Sequence, residues 1–179
     1  SAVGSLDGIE GHRTDDQEYI LFVRNLCEKL FNIPTSTIER INFNVTNITI
    51  TRAILVDYFV SMGLVIGSKV RQQVCVPPWI LLNPEYIKRC IRGLTDTDGC
   101  FYIDRHKKKN GYYQNAGINF TNRSLPLLDF YKKQLEKIGF HPTQKTPFSI
   151  FLRREAEIHR YVQEIGTSNP KHFNKYTKY

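Results

Sequence analysis

The sequence predicts an α+β fold made of two similar halves, the first of them incomplete. Three observations carry that prediction. Amphipathic helical segments are followed by alternating strand segments, the same order of segments occurs twice, and hydrophobic residues make up 41% of 179 residues. That is enough for one generous domain or two small ones joined through a common core. The expected division is 1–80 for the first half with its linker and 81–179 for the second.

The repeat is read first. "YILFVRNLCEKLFNIP" (19–34) lies over "LLDFYKKQLEKIGFHP" (127–142), so that Phe22 meets Phe130, Glu28 meets Glu136, Lys29 meets Lys137 and Pro34 meets Pro142. Ile20, Val23, Cys27 and Leu30 share one helical face, as do Leu128, Tyr131, Leu135 and Ile138. Both segments read as helices stopped by the approaching proline. Strands follow at "NITIT" (47–51) and "FSIFL" (148–152), then second helices at 52–63 and 154–166. A lysine follows each, Lys69 in "GSKV" and Lys171 in "NPKH".

The second half opens with elements that the first lacks: a helix over about 84–97, a strand over 100–105, a basic turn, and a strand over 113–121. Carried back by the repeat, Asp98 would have its counterpart ahead of Ser1. "GSLDGIEG" (4–11) is a loose echo, with no room for a hairpin before the next helix. Between the halves, Pro77 and Pro78 are expected to forbid helix, and Trp79 to pack into the core.

The formal net charge is +8 and the pI about 9.4. Such a balance favours a polyanionic partner, nucleic acid ahead of an acidic membrane surface. "YILFV" (19–23) is too short to span a bilayer and no signal peptide is visible, so an intracellular protein of cytoplasm, nucleoid or organelle is expected. The four cysteines form no C-x-x-C pair and no metal-ligand spacing with the five histidines, and are expected as reduced, mostly buried thiols. No Ser-His-Asp arrangement, phosphate-binding glycine loop or zinc pattern is present.

The segment "RGLTDTDGCFYI" (92–103) carries the chemistry. Asn83 caps the helix, and Pro84 takes its first position. Ile87, Ile91 and Leu94 form an apolar stripe, with Cys90, Gly93 and Thr97 beside it. A mid-helix glycine costs about 1 kcal/mol against alanine, which close approach of another helix across small residues can offset. Gly99 suits a left-handed helix-ending residue. Asp98 is the anomaly, because an acid at the negative end of a helix is disfavoured by several tenths of a kcal/mol, roughly. A divalent cation with hard oxygen ligands would reverse that penalty.

"IRGLTDTDG" (91–99) resembles the motif of the LAGLIDADG homing endonucleases, with Gly93, Leu94, Asp96, Asp98 and Gly99 at matching positions. The following "CFYI", the later helices and the closing "SNPKH" extend the resemblance over nearly the whole chain. It implies two pseudo-symmetric αββαββα-type halves whose antiparallel sheets form a DNA-binding saddle, the first half here lacking its opening motif helix and strand. It implies an intron-encoded, site-specific endonuclease hydrolysing phosphodiesters of double-stranded DNA with Mg²⁺ or another divalent cation. Asp98 would be the metal-binding acid, Lys171 and Lys69 the basic residues near the scissile phosphates, and Asn122 a residue that positions water. Ile91, Gly93, Leu94 and Thr97 would form the helix interface. A second motif acid is absent from this chain, and would come from a missing N-terminal segment, a separate chain or a second copy.

The strands support this independently. Phe101 and Ile103 alternate with Cys100, Tyr102 and Asp104, while Ala116, Ile118 and Phe120 alternate with Tyr113, Asn115, Gly117, Asn119 and Thr121. The polar set suits base edges in a major groove, with Arg105, His106, Lys107, Lys108 and Lys109 reaching phosphates from the turn. Arg153, beyond the later strand, joins the DNA-facing set. A competing expectation is a nucleic-acid binder without cleavage, an intron RNA maturase or a regulator on a degenerate nuclease scaffold.

Overall fold

The computed structural model describes residues 17–40, 45–108 and 111–179, and each amphipathic segment named above folds as a helix. These are α1 (Gln17–Phe31), α2 (Ala53–Ser61), α3 (Pro84–Asp98), α4 (Leu125–Lys137) and α5 (Glu155–Glu164). The echo at 4–11, His12 and Lys109 lie outside the described residues. The prolines at 34 and 142 are not what ends α1 and α4. The chain turns left-handed first, at Asn32 (φ 50°) and Gly139 (φ 82°), and the Phe140 N–H reaches back to the Leu135 carbonyl at 3.0 Å.

Contacts divide the chain into two units, one of residues up to Met62 with Ser168–Lys171, the other of Gly63–Thr167 with His172–Tyr179. In the first, α1 and α2 flank an antiparallel pair, β1 (Ser36–Arg40) and β2 (Val45–Thr49), with Ser36 opposite Thr49. Its buried apolar residues include Tyr19, Ile20, Ile48, Ile50 and Leu55. β1, "STIER", was not foreseen, because one isoleucine among polar residues gives no alternation to detect.

The second unit is a four-stranded antiparallel sheet in the order β3 (Gly99–Lys108), β4 (Gly111–Thr121), β6 (Ser149–Leu152), β5 (Thr143–Thr146). Phe101, Ala116, Ile118, Phe120, Ile150 and Leu152 point to one face by strand alternation. There they meet Ile91 of α3, Leu128, Tyr131 and Leu135 of α4, and Ile158 and Tyr161 of α5. Phe120 stacks on Tyr131 at 4.4 Å between ring centres. Helices gathered on one face of an antiparallel sheet make this the α+β class expected.

Three local expectations are corrected. Pro78–Leu82 is a short 3-10 helix, since proline at its first position forfeits a donor that such a turn leaves unpaired anyway. Trp79 is 38% exposed and stands edge-on to Tyr86 instead of entering the core. Cys75 is exposed and Cys27, Cys90 and Cys100 are half-buried, all four as free thiols. The closing "NPKH" begins a further helix, α6 (Pro170–Thr177), whose Lys171 N–H is capped by Asn169 Oδ1 at 3.1 Å. Among the described residues no helix is long and apolar enough to cross a membrane.

Candidate active site and the outer sheet face

α3 ends at Asp98 because the next residue must let two backbones meet. Gly99 is extended (φ −106°, ψ 178°), not left-handed as expected. A Cβ there would lie 2.5 Å from the Thr95 carbonyl oxygen and 2.8 Å from that of Asn119. Only glycine lets the chain pass from helix to strand with β4 so close. The Gly99 N–H still bonds the Thr95 carbonyl, so the helix closes and the strand begins within one residue, leaving the Asp98 carboxylate at the junction.

Two nitrogen donors converge on Asp98 Oδ2: Lys69 Nζ at 2.6 Å and Asn122 Nδ2 at 2.7 Å. They reverse the end-of-helix penalty with a cation and an amide. The Lys69 side chain is 51% exposed and that of Asp98 30%, so water screens the pair and its worth is at most about 1 kcal/mol. Asn122 is buried, and its other amide end accepts from the Ser124 N–H at 2.9 Å. Its side chain therefore orients the carboxylate and the start of α4.

Lys69 reaches Asp98 from a turn that Gln73 fastens. The Gln73 side chain donates to the carbonyls of Val70 (2.7 Å) and Arg123 (3.2 Å) and accepts from the Leu125 N–H (3.0 Å). Ser124 Oγ donates to the Val74 carbonyl at 2.6 Å. Gln73 itself sits at φ 46°, an unfavourable left-handed conformation for a side chain of its size. Sequence reasoning missed it, because nothing in "VRQQVCV" separates a tethering glutamine from a solvated one.

Asp96 occupies a motif position two residues before Asp98. It is 4% exposed and accepts from Thr167 Oγ1 at 2.5 Å. His172 Nδ1, also buried, lies 3.7 Å from the same oxygen and is without a hydrogen-bond partner of its own. The hydrogen bond ties the motif helix to Thr167, ahead of α6. Helical periodicity hid it, because Thr95 and Asp96 are polar residues on the core-facing side.

The interface set divides. Ile91 is wholly buried in the core of its own unit, and Leu94 is partly buried against that core, so both cover the sheet. The wider apolar stripe needed to bury a helix on a sheet absorbs them. Gly93 and Thr97 are exposed, and a Cβ on Gly93 would meet nothing within 4 Å. Lys171 belongs to the first unit and heads α6.

Strand pairing lays out the remaining residues. Cys100 lies opposite Asn119, Tyr102 opposite Gly117, Asp104 opposite Asn115, and His106 opposite Tyr113. Arg105, His106, Lys107 and Lys108 are strand, not turn, because β3 stays paired out to Gly111. Alternation then sends Arg105 and Lys107 to the face opposite His106, though all three are exposed beyond the core. Thr121 Oγ1 meets Ser149 Oγ at 3.0 Å, and Lys175 Nζ lies 3.5 Å from Cys100 Sγ.

The LAGLIDADG-like domain family matches residues 85–176, from the first turn of α3 to α6. This chain belongs to the LAGLIDADG family. Solved LAGLIDADG-type structures share its fold. Meganuclease I-SmaMI bound to uncleaveable DNA matches over 96% of this chain and 75% of its own, with TM-score 0.56 and 13% identity. LAGLIDADG meganuclease I-AabMI bound to uncleaved DNA matches over 93% and 76%, with TM-score 0.58 and 11% identity. The chain spans 34% of homing endonuclease I-GzeII in complex with its DNA target, at TM-score 0.38 and 18% identity over 54% of this chain. No curated protein matches the sequence.

Proposed function

We propose that this chain provides one metal-binding acid and one DNA-gripping sheet of a site-specific double-stranded DNA endonuclease of the homing type. The observation that carries the proposal is Asp98, half-buried at the helix-strand junction and oriented by Lys69 and Asn122. The family membership, the net charge of +8 and the DNA-bound relatives support it.

Asp98 fits a magnesium-like ion as half of a site. Such ions take one or two carboxylates and complete their shell with phosphate and water. Among the described residues no group of three or more His, Cys, Asp or Glu could hold an ion unaided. When bound, the ion would supply neutralisation of the scissile phosphate's charge. Asn122 would keep the carboxylate aimed, Lys69 would attract the phosphate, and the same phosphate-attracting role is proposed for Lys171. The second acid would come from a segment ahead of residue 1, a separate chain, or a second copy packed against the open Gly93 face. An incomplete first half over 1–80 and a complete second over 81–179 suit this reading. Phe22 is 41% exposed where its repeat partner Phe130 is 7%.

One observation favours a second reading, a nucleic-acid binder without cleavage. Lys69 already neutralises Asp98, so the carboxylate is satisfied by the chain's own cation. Incubating a randomised duplex library with Mg²⁺, alone and with a supplied first-motif chain, and sequencing the ends decides between them. Cut products that vanish in Asp98→Asn, with duplex affinity held within about threefold, support the nuclease, because removing the acid removes an ion ligand and leaves the groove contacts. Retention on duplex with no cut ends under either condition supports the binder.

A further inference from the structure

On the outer face of the sheet one row of three residues has an empty centre. Tyr102 of β3 pairs with Gly117 of β4, and because Ile118 pairs with Leu152, the same row continues to Arg153 just beyond β6. Gly117 is not needed for its backbone angles. It is needed because the Tyr102 ring lies on it: a Cβ there would stand 2.7 Å from Tyr102 Cε1 and nearer still to Cζ and Oη. The ring thus crosses the row toward the third strand. At the far end, Arg153 lies over the Phe151 ring, its guanidinium carbon 4.7 Å from the ring centre. Phe151 is two residues earlier and so on the same face.

The tyrosine and the arginine interact. Burial raises the Tyr102 hydroxyl's pKa; the Arg153 guanidinium, charged and hydrogen-bonded to it, pulls the other way, and the Asp104 carboxylate raises it again. The phenol therefore stays neutral and can accept from the guanidinium. Arg153 is then held from two sides, by the Phe151 ring and by the Tyr102 hydroxyl. An arginine on an open sheet would ordinarily be a loose cation. Here its rotamer freedom is spent before any ligand arrives, which lowers the entropic cost of a directional contact. The partner that uses a fixed, planar, double donor in a major groove is guanine, through O6 and N7.

We propose that Tyr102, Gly117, Phe151 and Arg153 form a prebuilt reader of one guanine in the DNA target. This rests on the DNA-binding reading above and adds which residue specifies a base. Lysine at 153 keeps the charge but not the planar fork; alanine at 117 lifts the tyrosine off its seat.

The test is binding selection from a randomised duplex library without divalent metal, using the full chain, its Arg153→Lys, Gly117→Ala and Tyr102→Phe variants, and the double variant G117A/R153K. The wild-type chain should enrich guanine at one position. Arg153→Lys should cut that preference by roughly 5- to 150-fold, the range of one bidentate base contact, while other positions keep theirs and affinity for random duplex stays within about threefold. Gly117→Ala and Tyr102→Phe, each checked for native circular dichroism, should weaken the same position. Gly117→Ala should add nothing further in the Arg153→Lys background. Uniform weakening across all sequences would make Arg153 a phosphate contact and overturn the proposal, as would an unchanged guanine preference. Absence of salt-sensitive binding of the wild-type chain to any duplex would remove the DNA reading itself.

Discussion

Thr95 stands one residue from Asp96 and holds together the core beneath the motif. Its hydroxyl donates to the Ile91 carbonyl at 2.9 Å, meets Tyr131 Oη at 2.9 Å and accepts from Tyr161 Oη at 2.7 Å. All three side chains are wholly buried or nearly so. Valine at 95 keeps the shape but takes from two buried phenols the hydroxyl they share, so Thr95→Val should lower stability by about 1–3 kcal/mol in urea unfolding. The same burial dictates behaviour in alkali. Desolvation pushes the Tyr131 pKa up to about 12, and that of Tyr161 also upward, with only partial relief from the Thr95 bonds. Raised folded-state values mean the stabilisation is complete below the unfolded value near 10 and is lost as pH rises through the folded values. Stability measured by urea should therefore hold up to about pH 10 and fall steeply above it, with tyrosinate absorbance from these residues appearing only as the chain unfolds. At this scale Asp98 was legible because its position contradicted a local rule. Asp96 and Thr95 were not, since a polar residue in a core is justified only by partners distant in sequence.

Among elements, the turn that carries Lys69 shows what position in sequence conceals. The chain up to residue 80 reads as the first half with its linker, yet Val74, Val76 and Ile80 pack against the core of the second unit. Gln73 fastens the turn by three hydrogen bonds. On the proposed nuclease function, Gln73→Ala should leave the melting temperature within a few degrees while reducing Mg²⁺-dependent cleavage by about ten- to a hundredfold, because misplacing a reacting or guiding group by about 1 Å has that effect. Equal loss in stability and activity would make the turn merely structural. The helices and the long hairpin were visible as periodicity. β5, "TQKT", was not, because it is exposed throughout and an edge strand of polar residues has no buried face to pattern it.

Over the whole molecule, 25 Lys and Arg against 17 Asp and Glu would, on the proposed function, supply attraction for DNA without naming its sequence. If several of these side chains displace condensed counterions, log affinity for duplex should fall linearly with log salt, with a slope near −0.9 for each phosphate engaged. A flat response in a salt titration would argue against the groove. The sequence by itself determined the class of fold and the odd acid, because hydrophobic period and helix-end chemistry are local properties. Only the tertiary structure decided that Lys69 and Asn122 converge on that acid, that Gly99 and Gly117 serve close approach and not backbone freedom, and that Arg153 is tethered. Those facts depend on which residues meet across strands and turns, and chain folding sets such meetings by register and packing that no local window contains.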